Sequence, residues 1–124
     1  MVVDNTKTVL LKEFVDFCNL SRIYLLNIEE SLKEFSKEIE KDLESYNISP
    51  EQKKESMEKF NKKIQDISDN VVSKALDSVD NIEVELSNFY HDDDAAGFTR
   101  KVMISRNLIT RICLSASRSC SYDA

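Results

Sequence analysis

Glycine and proline are almost absent from this chain, which has one of each among its 124 residues. Average proteins contain about 7% glycine and 5% proline, and both residues mark the turns between elements. A chain with so few turns must consist of long elements, and long elements in proteins are helices. The composition therefore predicts an all-α fold.

Residues that carry out catalysis are equally scarce. The one histidine, His91, precedes Asp92, Asp93 and Asp94. This group could form a general base or a cation site. The sequence favours an exposed helix end, because a partly protonated imidazole suits the helix dipole and consecutive acids lack the spacing of a calcium loop. The single glycine, Gly97, excludes glycine-rich phosphate loops. We expect a protein that is not an enzyme, without catalytic residues, cofactors or metal.

The cysteines and the apolar segments give expectations about location. Three cysteines with no zinc-like spacing are typical of a reduced, intracellular protein. The first residues lack the order of basic, apolar and small residues found in signal peptides. The most apolar stretch, 9–28, contains four charged residues and so does not predict a membrane span. The sequence predicts a cytoplasmic protein with no membrane partner.

Two long helices are predicted from the spacing of apolar residues. In both segments these residues recur at steps of three and four, which is the helical period. The first helix covers about 6–46, with Asp4, Asn5 or Thr6 as its cap, and the second covers about 50–90 with an uninterrupted seam. Pro50 starts the second helix, and Ser49 with Gln52 forms a capping box. The short connection predicts an antiparallel hairpin of coiled-coil type.

A third, shorter helix is predicted over about 95–116, capped by the aspartates before it. It is long enough to cover only the half of the hairpin next to its own connection. The other half, which leads to the Pro50 turn, is then a two-helix arm. The sequence predicts a three-helix bundle with a protruding arm, a single domain over 1–116, and a flexible tail over 117–124.

Charge is distributed unevenly along the chain, whose formal net charge is −6. Residues 100–124 contain five of the 17 Lys and Arg residues and one of the 23 acidic residues. Four of these cations, Arg100, Lys101, Arg106 and Arg111, form a basic segment in the third helix. This segment either packs on the acidic hairpin or is displayed to a partner, and the sequence favours the internal packing.

The first half of the first helix has more apolar residues than one stripe requires. The excess consists of Val9, Leu11, Val15 and Leu20. These side chains are either buried under the third helix or form a groove for a partner. Together with the basic segment they are the candidate partner-binding residues.

The expected function is a non-enzymatic protein–protein interaction module, such as a small helical adaptor, a secretion-type chaperone or an inhibitor from a virulence or mobile element. Its partner would be another protein or a second copy of the chain, with no small-molecule substrate. One alternative is a self-assembling coiled-coil structural protein. Another is a nucleic-acid-binding regulator that uses the basic third helix, although an acidic chain does not favour phosphate contacts. No motif links the chain to a known family.

Overall fold

The computed structural model describes residues 5–120, and the elements within that range are all helical. Helix α1 covers Thr6–Glu44, α2 covers Pro50–Ile67, α3 covers Ser73–Phe89 and α4 covers Ala95–Cys120. A π-helical turn, Ser68–Val72, joins α2 to α3 without a break in direction. The all-α prediction is confirmed, as is the long hairpin with a shorter helix on one end. In the described range, no helix has both the length and the apolarity needed to cross a membrane.

The turn of the hairpin has the predicted chemistry. The Gln52 amide nitrogen donates to Oγ of Ser49 at 3.2 Å, and the Ser49 amide donates to Oε1 of Gln52 at 3.4 Å. Pro50 is the first residue of α2. The backbone N–H at this position makes no hydrogen bond within the helix, so its absence in proline costs nothing. This reciprocal capping fixes where the second helix starts and confirms the capping box.

The core lies where α1, α3 and α4 pack together. Its fully buried side chains come from all three helices and from the π-helical turn: Phe14, Cys18, Leu25, Val72, Val79, Leu86, Phe98 and Ile109. Polar contacts join the same helices at the bundle surface. Arg22 of α1 forms ion pairs with Asp80 and Glu83 of α3. This end of the hairpin is therefore a three-helix bundle.

The arm consists of the C-terminal part of α1 together with α2, which has no buried residue. Phe35 and Phe60 pack with their ring centroids 5.6 Å apart. Near the turn, Lys53 forms an ion pair with Glu44 at 2.9 Å. Two helices alone cover only one side of each seam residue, so the arm side chains stay partly exposed.

Helix ends differ from the predicted ones in two places. Helix α1 ends at Glu44 rather than at residue 46, and it runs without interruption through 19–21. Helix α4 continues to Cys120, so residues 117–120, predicted to be a flexible tail, are helical. The reason is packing: Ala116 is buried and Cys120 is half-buried against α1. Residues 121–124 lie outside the described range, as does the proposed cap Asp4.

The π-helical turn was not predicted, because the apolar steps on either side of it look regular. It lies where the hairpin changes from two helices to three. Within it, Val71 is partly buried and faces the end of α4, while Val72 is completely buried. A π turn shifts the phase of a helix, which allows one helix to pack against one neighbour in the arm and two in the bundle.

Candidate protein-interaction face

The four apolar residues singled out in the sequence divide between two sides of α1. Leu11 and Val15 are half-buried, and Leu11 packs against the core. Val9 and Leu20 are exposed, with 65% of the Leu20 surface open to solvent. The third helix therefore does not cover the whole excess, and two of the four residues remain on the surface.

The basic segment of α4 divides in the same way. Lys101 forms an ion pair with Asp93 at 2.5 Å and lies over the Phe89 ring. The Arg106 guanidinium lies 4.8 Å from the centre of the Phe17 ring, which joins α4 to α1. Arg100 and Arg111 are exposed on the outer side of α4. Lys101 thus has an anionic partner within the chain, Arg106 packs on α1 with part of its side chain exposed, and Arg100 and Arg111 are displayed.

An exposed apolar surface follows the junction of α1 and α4, and we call it the α1/α4 face. Its large apolar side chains are between 41% and 65% exposed: Val9, Leu20, Ile23, Tyr24, Met103 and Leu114. On each helix two of them are 11 residues apart, which is three turns and places them on the same side. Two neighbouring helices therefore present apolar side chains on one side of the bundle.

A groove runs along the middle of this face. Leu20, Tyr24 and Leu114 line it together with Thr110 and Cys113, and its volume is about 310 Å³. Tyr24 also lines a second groove of about 580 Å³, which continues past the end of α4 to Phe35. The apolar surface is thus long enough to receive an extended or helical segment rather than one side chain.

Charges of opposite sign flank the apolar residues on the two helices. On α1, Glu13 and Asp16 are exposed between Val9 and Leu20. On α4, Arg106 is exposed at the rim of the face, and its guanidinium lies over the Phe17 ring of α1. The α1 half of the face is therefore acidic and apolar, and the α4 half is basic and apolar.

The acidic corner before α4 has structural roles. Oδ1 of Asp94 accepts a hydrogen bond from the Gly97 amide at 2.7 Å, which caps α4 as predicted. The Asp93 carbonyl accepts from Nζ of Lys7 at 2.6 Å. His91 is exposed and packs edge-on against the Tyr90 ring. Among residues 5–120, no group of three or more His, Cys, Asp or Glu side chains is placed to hold a metal ion.

The thiols are in apolar surroundings that oppose ionisation. Burial raises the pKa of Cys18 to about 11, and the carboxylate of Glu83 adds to this shift. Burial also raises the pKa of Cys113 and of Cys120. A nucleophilic cysteine requires a lowered pKa, so these surroundings disfavour the reactive thiolate at all three side chains.

Four of the face residues were not recognised in the sequence as candidates: Ile23, Tyr24, Met103 and Leu114. An apolar residue at helical spacing looks the same in the sequence whether a neighbouring helix covers it or not. The interval of 11 residues shared by the two helices was the available signal.

Comparison with known family models, curated proteins and solved structures finds no match.

Proposed function

We propose that this protein is a non-enzymatic interaction module, of the adaptor, chaperone or inhibitor type, that binds its partner protein through the α1/α4 face. The observation that carries the proposal is the set of six large, exposed apolar side chains on two adjacent helices. Contiguous apolar surface of this kind is characteristic of protein-binding sites. A groove between parallel helices suits a partner helix or an extended segment.

The position of the face supports this function. It lies on the three-helix bundle, where the side chains beneath it are fully buried, and not on the arm. A rigid surface loses little conformational freedom on binding, so more of the interaction energy is available as affinity. Burying apolar surface contributes roughly 25 cal/mol per Å² before these losses. The apolar residues at the centre of the face are therefore expected to contribute most.

Nucleic-acid binding is less well supported. Lys101 forms an ion pair within the chain, and Arg106, although exposed, lies beside the acidic residues of α1, which repel a phosphate backbone. The two displayed cations, Arg100 and Arg111, are 11 residues apart, or about 16 Å along the helix axis. A phosphate backbone is bound by a continuous basic surface, whereas the neighbouring α1 surface is acidic.

Site-specific photocrosslinking in the native cell tests the proposal. A photoreactive amino acid would replace Leu20 in one variant and Val84 in another. Val84 is the matched control, because it is 62% exposed and lies on α3, away from the α1/α4 face. We expect discrete crosslinked products from position 20, which Leu114→Glu in the same chain abolishes. Equal products from both positions, or none from position 20, would contradict the proposal.

A further inference from the structure

We propose that the α1/α4 face binds a second copy of this chain, forming a twofold dimer in which α1 of each copy packs on α4 of the other. This inference rests on the proposed function, since it assigns an occupant to the same face. It is carried by the complementary charges of the two helices, by their relative direction and by the extent of the face.

Charge complementarity selects which helices meet. Glu13 and Asp16 are exposed on α1, whereas Arg106 is the cation on the corresponding part of α4. Contact of α1 with α1 of a second copy would place carboxylates against carboxylates, and contact of α4 with α4 would place arginines together. Contact of α1 with α4 pairs acid with base on both sides of the interface. Lys12 is the one cation near these acids on α1, at the edge of the face.

The direction of the helices makes this pairing compatible with twofold symmetry. Lys7 contacts the Asp93 carbonyl near the starts of α1 and α4, and Ser21 and Cys113 line the same groove further along both helices. The two helices therefore run parallel. A twofold axis parallel to them brings α1 of one copy onto α4 of the other at the same level.

In this arrangement, side chains of opposite charge and apolar side chains face each other across the interface. The Arg106 guanidinium lies beside Phe17 in its own copy, so Asp16 of a second copy comes within about one helical turn of it. One helical turn further along the helices, Leu20 of one copy is level with Thr110 and Leu114 of the other, because these three residues share one groove within each copy. Apolar side chains thus meet at the centre, with ion pairs at the rim.

The face reaches the lower end of the size range of specific interfaces, which is about 600 Å² on each partner. Two adjacent helices about 10 Å apart and about 30 Å long over 20 residues present a surface of roughly 600 Å². Standard interfaces bury about 800 Å² of accessible surface on each partner. An interface of about 800 Å² would cover about a tenth of the 8953 Å² of accessible surface on this chain. The apolar residues of the α1/α4 face extend over roughly 22 Å of α1, from Val9 to Tyr24, and roughly 16 Å of α4, from Met103 to Leu114.

Sedimentation of the purified full chain at micromolar concentrations tests the dimer. The chain has a mass of 14.3 kDa, and we expect twice this mass for the native protein. Leu20→Glu is expected to give monomers, while Val84→Glu, the matched exposed control, remains dimeric. Circular dichroism checks that each variant is folded.

A charge exchange tests the twofold pairing itself. Asp16→Arg and Arg106→Asp should each give monomers, because every interface would then place like charges together. A mixture of the two variants should give heterodimers, since both of its rim pairs are again of opposite charge. A native protein that stays monomeric, a dimer indifferent to Leu20→Glu, or a mixture that stays monomeric would overturn the inference. In that case crosslinks from position 20 to a different protein would still support the proposed function.

Discussion

The two halves of the long hairpin share a sequence pattern but differ in what that pattern stabilises. Both have apolar residues at steps of three and four. In the bundle half, residues of α1, α3 and α4 are completely buried, whereas none of residues 33–67 is buried. The difference comes from α4, which supplies a third side to one half only. Helical periodicity creates an apolar stripe, and the number of neighbouring helices determines how much of that stripe is buried.

This difference also determines where the proposed binding face lies. Adding α4 buries one side of α1 and creates a new apolar edge along the junction, with Leu20 on α1 and Leu114 on α4. The arm has partly exposed seam residues but no comparable rigid support. We therefore attribute stability and binding to the bundle half, and we expect changes in the arm to have local effects.

The largest contrast should come from placing a charge in each half. Ile109→Asp puts a carboxylate at a completely buried position of the bundle. An unpaired buried charge costs several kcal/mol, which is comparable to the whole stability of a domain. We expect loss of most helical circular dichroism. Ile64→Asp, at a half-buried arm position, should lower the helix content only partly and leave the bundle folded. Global unfolding by the Ile64 change would contradict the comparison.

A smaller contrast concerns alkaline pH. The pKa of Cys18 is raised to about 11 in the folded bundle, while the thiol of the unfolded chain ionises near 9. Between these values the unfolded state releases the proton and the folded state keeps it, so stability falls as pH rises. The loss is about 3 kcal/mol. Urea denaturation should show a shallower pH dependence between 9 and 11 for Cys18→Ala than for the native chain. Parallel curves would show that Cys18 does not contribute.

The smallest effect is expected at the turn of the arm. Ser49→Ala removes the side-chain oxygen that accepts from the Gln52 amide. Loss of such a cap costs about 1 kcal/mol, and here it should destabilise the arm alone. Amide exchange should become faster in the first turns of α2, while exchange of the bundle amides and the mass found by sedimentation stay unchanged. A matching change in the bundle would show that arm and bundle unfold together.

Much of the fold was predictable because it depends on local signals. Pro50, Ser49 and Gln52 determine the turn through backbone geometry alone, and the helical period follows from the side chains themselves. The extension of α4 to Cys120 was missed, because the segment 117–120 has no apolar period of its own and is held by its contact with α1. The π-helical turn was missed for a related reason, since it adjusts the helix to a change in its neighbours.

The candidate face was predictable only in part. Leu11 and Leu20 look equivalent in the sequence, yet one packs against the core and the other is exposed. Arg100 and Lys101 are adjacent, but a rotation of about 100° per residue directs only Lys101 to the Phe89 ring. Periodicity shows that a helix has an apolar or a basic side. It does not show which neighbour occupies that side.

Hydrogen exchange resolved by residue, at low and at high protein concentration, tests the central claim most directly. Amides of the bundle should exchange at least several orders of magnitude more slowly than those of 33–67, because only the bundle opens with the global free energy. Raising the concentration should slow exchange further along the α1/α4 face, around residue 20 and residue 114, and leave the arm unchanged. Equal protection in both halves, or concentration-dependent protection confined to the arm, would contradict the account.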